Sequence, residues 1–238
     1  MPIVTALGVD TGINTTALVA HELDGREWVK SVTRPKPESG PAHSAYMIGS
    51  VRAAVAEMLH LGGDLTVVAT ERLFLQGDNA CSMSLEWAVI EACVRKLIVQ
   101  AMSVVDPEEM RLVICRPAPP QLKKFVTGAG NAEKAGMGRY IERHWPQAPM
   151  QEDQGEAYAL MQFARCRYAI ERGEVERGAP GEWCEYQVEV AGRDLWSQAK
   201  AGRLHTLTLT GAEALELEDR VSDAYRRPEP VGCEVAAE

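Results

Sequence analysis

Long apolar runs are missing from this 238-residue chain: nowhere do about 18 apolar residues follow one another, which excludes a bundle of membrane-spanning helices. Cysteine is sparse and dispersed. Cys81, Cys93, Cys115, Cys166, Cys184 and Cys233 form no CxxC pair and have no histidine cluster beside them, so neither a zinc module nor a disulfide scaffold is expected, only reduced thiols. The opening MPIVTALGVD has no basic stretch leading into an apolar block, and a cytoplasmic location is expected. Positive charge is also short, 25 Lys and Arg against 34 Asp and Glu for a net charge of -9, which taken alone argues against a nucleic-acid binder.

That average conceals an uneven distribution. From Glu171 to Glu238 there are fifteen acidic and eight basic residues, so most of the negative charge belongs to this stretch. Between Arg111 and Trp145 the balance reverses: Arg111, Arg116, Lys123, Lys124, Lys134, Arg139 and Arg143 face only Glu133 and Glu142. A local basic surface is therefore available, although a solvated charged face would read the same way.

With 46% hydrophobic residues the chain can build a sizeable core. Val4 to Asp10, Thr15 to His21 and Glu27 to Thr33, separated by turn signals at Gly12 and Asp24-Gly25, predict an antiparallel three-stranded meander. Ser44 to Leu61 has helical spacing, and Leu65 to Thr70 is a short apolar run expected of a strand covered on both faces. Ser84 to Met102 predicts a long helix containing Trp87. Leu112 to Cys115 predicts another strand, closed by Pro117-Ala118-Pro119-Pro120. Two helices are expected after it, one capped by Asn131 and running to His144, the other from Asp153 to about Arg172. Beyond Gly173, Glu185 to Val190 and Leu204 to Thr210 look strand-like, Gly211 to Tyr225 suggests a short acidic helix, and the last residues are expected to fray. The order predicts an α/β class with a mixed sheet.

Four carboxylates fit this order. Asp10 ends the first strand, Glu71 follows the fourth, and Asp153 and Glu156, three apart, share one face of the last core helix. Like charges drawn to one sheet edge are costly unless cations neutralise them, and hard oxygen donors suit Mg²⁺ or Mn²⁺.

Residues in and around these positions resemble the RuvC family of Holliday junction resolvases, a branch of the ribonuclease H-like fold. Leu7-Gly8-Val9-Asp10-Thr11-Gly12 is similar to the family's opening strand and first acid, with Thr11 where Pro is frequent. Ala69-Thr70-Glu71-Arg72-Leu73-Phe74 resembles its second acid and the loop aromatic behind it. The most specific segment is Gln121-Leu122-Lys123-Lys124-Phe125-Val126-Thr127-Gly128-Ala129-Gly130-Asn131-Ala132-Glu133-Lys134, which follows the family's basic loop nearly position for position. Asp153-Gln154-Gly155-Glu156 resembles the closing pair of acids, with Glu156 where many members carry Asp.

The resemblance covers about Val4 to Arg172 and implies a mixed five-stranded sheet flanked by helices. A nuclease core would span 1–172 and an acidic C-terminal extension 173–238. It also implies metal binding and catalysis by Asp10, Glu71, Asp153 and Glu156 with two Mg²⁺ or Mn²⁺ ions, and no organic cofactor. DNA would be held by Lys123, Lys124 and Lys134, by close backbone approach at Gly128 and Gly130, and by Phe74 wedged against unstacked bases. The partners implied are four-way and branched DNA and a second copy of the chain, paired through the helix at Ser84 to Met102. The extension faintly suggests a bacteriophage-type member.

Other readings stay open. Asp10-Thr11-Gly12 also fits half of an aspartic protease site, against which the long helical patterns stand. An actin-like ATPase or kinase shares the opening strand ending in Asp-x-Gly, and a junction-binding protein without catalysis would share the basic loop.

Overall fold

A computed structural model of the protein describes residues 4–12, 15–33, 49–51, 53–54, 65–71, 111–149, 151–178, 181–193, 204–210 and 213. Phe74, the helix expected over 84–102, nearly all of the one expected over 211–225 and the last residues lie outside these. Of the helix expected over 44–61, residues 49–51 and 53–54 are described and are helical.

Strands β1 (Val4–Thr11), β2 (Thr15–Glu22) and β3 (Glu27–Thr33) form the antiparallel meander. β4 (Leu65–Thr70) lies parallel to β1, and β5 (Arg111–Pro117) parallel to β4. The fold is the expected mixed α/β sheet, and beyond its five expected strands β6 (Leu204–Thr210) pairs antiparallel with β5 to give the order β3-β2-β1-β4-β5-β6. Strands β1, β4 and β5 read as continuous apolar runs because both of their faces are buried: Ala6, Val67, Val113 and Cys115 on one side alternate with Leu7, Val9, Val68, Leu112 and Ile114 on the other.

One face is covered by helix α3 (Glu152–Glu171), buried around most of its circumference through Ala157, Tyr158, Leu160, Met161, Phe163 and Ala164. Helices α1 (Pro119–Thr127) and α4 (Glu185–Ala191) pack against it and each other, with Phe125 edge-on to Phe163 at 5.2 Å and beside Trp183. Helix α2 (Lys134–His144) buries only Met137 and Ile141. No described helix is long and apolar enough to cross a membrane.

Three local expectations are corrected. Pro119-Pro120 does not merely close β5 but opens α1, where a missing N–H costs nothing in the first turn, and the backbone N–H of Ala118 donates to Gln121 Oε1 at 2.8 Å. Lys123 and Lys124 therefore ride on a helix rather than a loop. Helix α2 begins at Lys134 behind Glu133, so Asn131 lies in the turn and is not its cap. The segment at 185–191 is helical: the N–H of Cys184 donates to Gln187 Oε1 at 2.9 Å, and Gln187, Val188 and Ala191 bury one helical face.

Candidate active site

Two parallel strands carry the first two acids to one edge of the sheet. Val9 of β1 is in register with Thr70 of β4, so Asp10 and Glu71, each one step further on, emerge side by side. The second pair arrives on α3, whose backbone lies directly on β1. A β-carbon at Gly8 would stand 2.1 Å from the Ala157 carbonyl oxygen and 2.3 Å from the Met161 nitrogen, so only glycine lets the helix approach this closely. That contact fixes the first turns of α3, with Asp153 and Glu156, over the end of β1. Near the helix start, Gln154 Nε2 donates to Ser31 Oγ of β3 at 2.9 Å.

The four acids share one electrostatic environment. The Asp10 carboxyl is raised from 3.8 to about 7, first by burial and then by repulsion from Glu156, Glu71 and Asp153, against which Lys134 acts. Glu71 is likewise raised to about 7, by burial and by Glu156, with Lys134 and Lys123 opposing. Lys134 Nζ lies 3.0 Å from Glu156 Oε1. The structure thus brings Asp10, Glu71, Asp153, Glu156, Lys123 and Lys134 together. Lys124, one residue on from Lys123, is not among the described charges acting on Asp10 or Glu71.

The turn between α1 and α2 carries the two glycines. Gly128 is left-handed (φ 80°) and its N–H closes α1 on the Lys124 carbonyl at 2.9 Å, as suits a residue without a β-carbon. A β-carbon at Gly130 would lie 3.0 Å from the Pro120 carbonyl oxygen, so this turn is held tightly to the start of α1. Tyr186 of α4 lies against Gly128, and its hydroxyl is 2.8 Å from that of Tyr140, whose ring stacks on His144. A cleft of about 520 Å³ opens beside Glu156, lined also by Lys134, Met137, Ile141 and Pro149 among others.

Three features went unread in the sequence. An isolated glycine inside an apolar strand is the usual sign of a close backbone approach, so Gly8 as the seat of α3 was discoverable. The Lys134–Glu156 pair and the Tyr186 contact join residues far apart in the chain, and no local pattern marks them.

Mg²⁺ or Mn²⁺ fits the donor set in kind and charge: the acids are hard oxygen donors, and the burial and repulsion that raise Asp10 and Glu71 are what a bound cation would offset. As they stand, however, no three of His, Cys, Asp or Glu among the described residues form a group that could hold a metal ion.

No protein-family model matches the chain, and no curated protein does. Among solved structures it is similar to Thermus thermophilus RuvC, at 19% identity and a TM-score of 0.49, over 73% of this chain and 97% of that one. It is also similar to T. thermophilus RuvC in complex with a Holliday junction substrate, at 17% identity and a TM-score of 0.48, with the same shares of each chain.

Proposed function

We propose that the protein is a divalent-cation-dependent endonuclease for four-way and other branched DNA. The observation carrying this reading is the β1–β4 register that puts Asp10 and Glu71 at one sheet edge, where burial first and then Glu156 raise both carboxyls while Lys134 opposes. Acids held at that electrostatic cost, next to cations of the kind that bind phosphate, suit phosphodiester hydrolysis.

Asp10, Glu71, Asp153 and Glu156 would hold two Mg²⁺ or Mn²⁺ ions. The chemistry those ions supply when bound is activation of a water and neutralisation of the leaving 3′ oxygen. The chain's own lysines do the rest of the electrostatic work: Lys123 and Lys134 draw in the phosphate flanking the cut and offset its growing charge. Gly128 and Gly130 leave two positions of the turn between α1 and α2 without side chains, so that the backbone there can approach the sugar-phosphate chain, and Lys124 adds longer-range attraction. Phe74 would part the bases at the branch. Two copies of the chain acting as a homodimer would nick strands of like polarity symmetrically, leaving 5′-phosphate and 3′-hydroxyl ends.

A synthetic four-way junction incubated with the protein and Mg²⁺ or Mn²⁺ tests this. Paired symmetric nicks are expected, and Asp10→Asn should abolish them while junction binding is kept or improved, since a negative charge near phosphate is removed. Binding without any cutting by the wild-type protein would instead support a junction clamp, and nucleotide hydrolysis without DNA an actin-like ATPase.

A further inference from the structure

Lys134 occupies an unusual place for a residue assigned only to holding DNA. It is the first residue of α2, and its ammonium group lies against Glu156 at 3.0 Å, inside the hydrogen-bonding range of a charged pair. Its charge also reaches Asp10 and Glu71, in each case opposing the repulsion from the other acids. Among the described residues it is the cation that acts on three of the four acids at once. Its side chain is 56% exposed while that of Glu156 is 17% exposed, and both line the open cleft beside α2. The lysine therefore has somewhere to swing, whereas the carboxylate does not.

We infer that Lys134 is a resident cation that competes with divalent ions for the acid cluster, and that a DNA phosphate entering the cleft draws it off Glu156 and so opens the cluster to the ion. This rests on the nuclease reading and adds to it an order of events: nucleic acid and divalent cation bind cooperatively, each strengthening the other, because both exchange the same ion pair. The arrangement would also keep the acids from loading with metal in the absence of DNA. Lys134 is on this view a positioning residue as well as a phosphate contact.

The test follows Mn²⁺ uptake by the full chain through loss of the free-ion electron paramagnetic resonance signal, with and without a four-way junction, subtracting uptake by the DNA alone. Without DNA, Lys134→Gln should bind Mn²⁺ roughly 5-fold or more tighter than wild type, while Lys134→Arg, which keeps the charge, stays near wild type. With the junction, wild type should tighten by a similar factor and Lys134→Gln should not. Unchanged or weaker Mn²⁺ affinity in Lys134→Gln, in a chain whose wild type binds both Mn²⁺ and junction, would overturn the competition and leave the nuclease reading standing. Failure of the wild type to take up Mn²⁺ with or without junction would sink both.

Discussion

At the scale of single residues, Gly8 sets the register between the two halves of the site. A methyl group there would meet backbone atoms of α3 at 2.1 and 2.3 Å, and backbone does not yield as a flexible side chain does. Gly8→Ala should cost about 3 kcal/mol or more in urea unfolding, at the upper end of overpacking effects. A loss under about 1 kcal/mol, on the same scale, would show that α3 can lift without penalty. His21 makes a different kind of test. Burial comes first and Arg165 second in lowering its imidazole from 6.5 to about 4, with Asp24 opposing, while Thr5 Oγ1 lies 3.4 Å from Nδ1. The unfolded chain binds this proton below 6.5 and the folded chain only below about 4, so the residue's share of stability is intact above pH 6.5 and is lost as pH falls from 6.5 toward 4. Discounted for half-exposure, that share is about 1 kcal/mol. His21→Gln should accordingly flatten the fall in urea midpoint between pH 7 and pH 5, and parallel curves for variant and wild type would refute the assignment.

At the scale of elements, α3 is tied down by ions as well as by apolar packing. Arg167 is 1% exposed; its Nε and second guanidinium nitrogen bind Glu171 Oε1 at 2.9 and 2.7 Å, and its remaining nitrogen donates to the Ala191 carbonyl at the end of α4. Glu171 in turn receives Arg111 of β5 at 2.8 Å. One buried guanidinium thus joins sheet, central helix and extension. Arg167→Met should destabilise by about 3 kcal/mol, because it strips a nearly buried carboxylate of one partner, and adding Glu171→Leu should recover part of that loss. A double variant no better than the single one would mean that the cost lies in packing rather than in the orphaned charge. The same elements show what could be read in advance. β1, β4 and β5 were legible because strands buried on both faces must be apolar throughout, and Asp10 and Glu71 stood out because they lie at the ends of such strands. The segment at 185–191 was not: Glu-Tyr-Gln-Val-Glu-Val alternates like a strand, and only its packing on α1 and α3 selects the helix. The start of α2 was misplaced because Asn131 is a better cap by type than Glu133, yet the turn held at Gly128 and Gly130 sets where the helix begins.

At the scale of the whole molecule, part of the C-terminal extension contributes a strand to the main sheet. β6 runs alongside all of β5, from Arg111 opposite Thr210 to Pro117 opposite Leu204, and α4 packs on α1 and α3. Tyr186 of α4 also lies against Gly128, in the turn between α1 and α2. Ending the chain at residue 203 should lower the urea midpoint and promote concentration-dependent aggregation, since it bares the hydrogen-bonding groups of an apolar strand. Unaltered stability and solubility would show β6 to be dispensable. The pairing has a consequence for how the protein comes into being. Cys115 finds its partner Thr206 only after roughly ninety further residues have been made, which at ribosomal speeds is on the order of ten seconds. Through that interval the nascent polypeptide carries an unsealed, sticky strand, and its survival during synthesis depends on whatever shields that strand until the last one arrives.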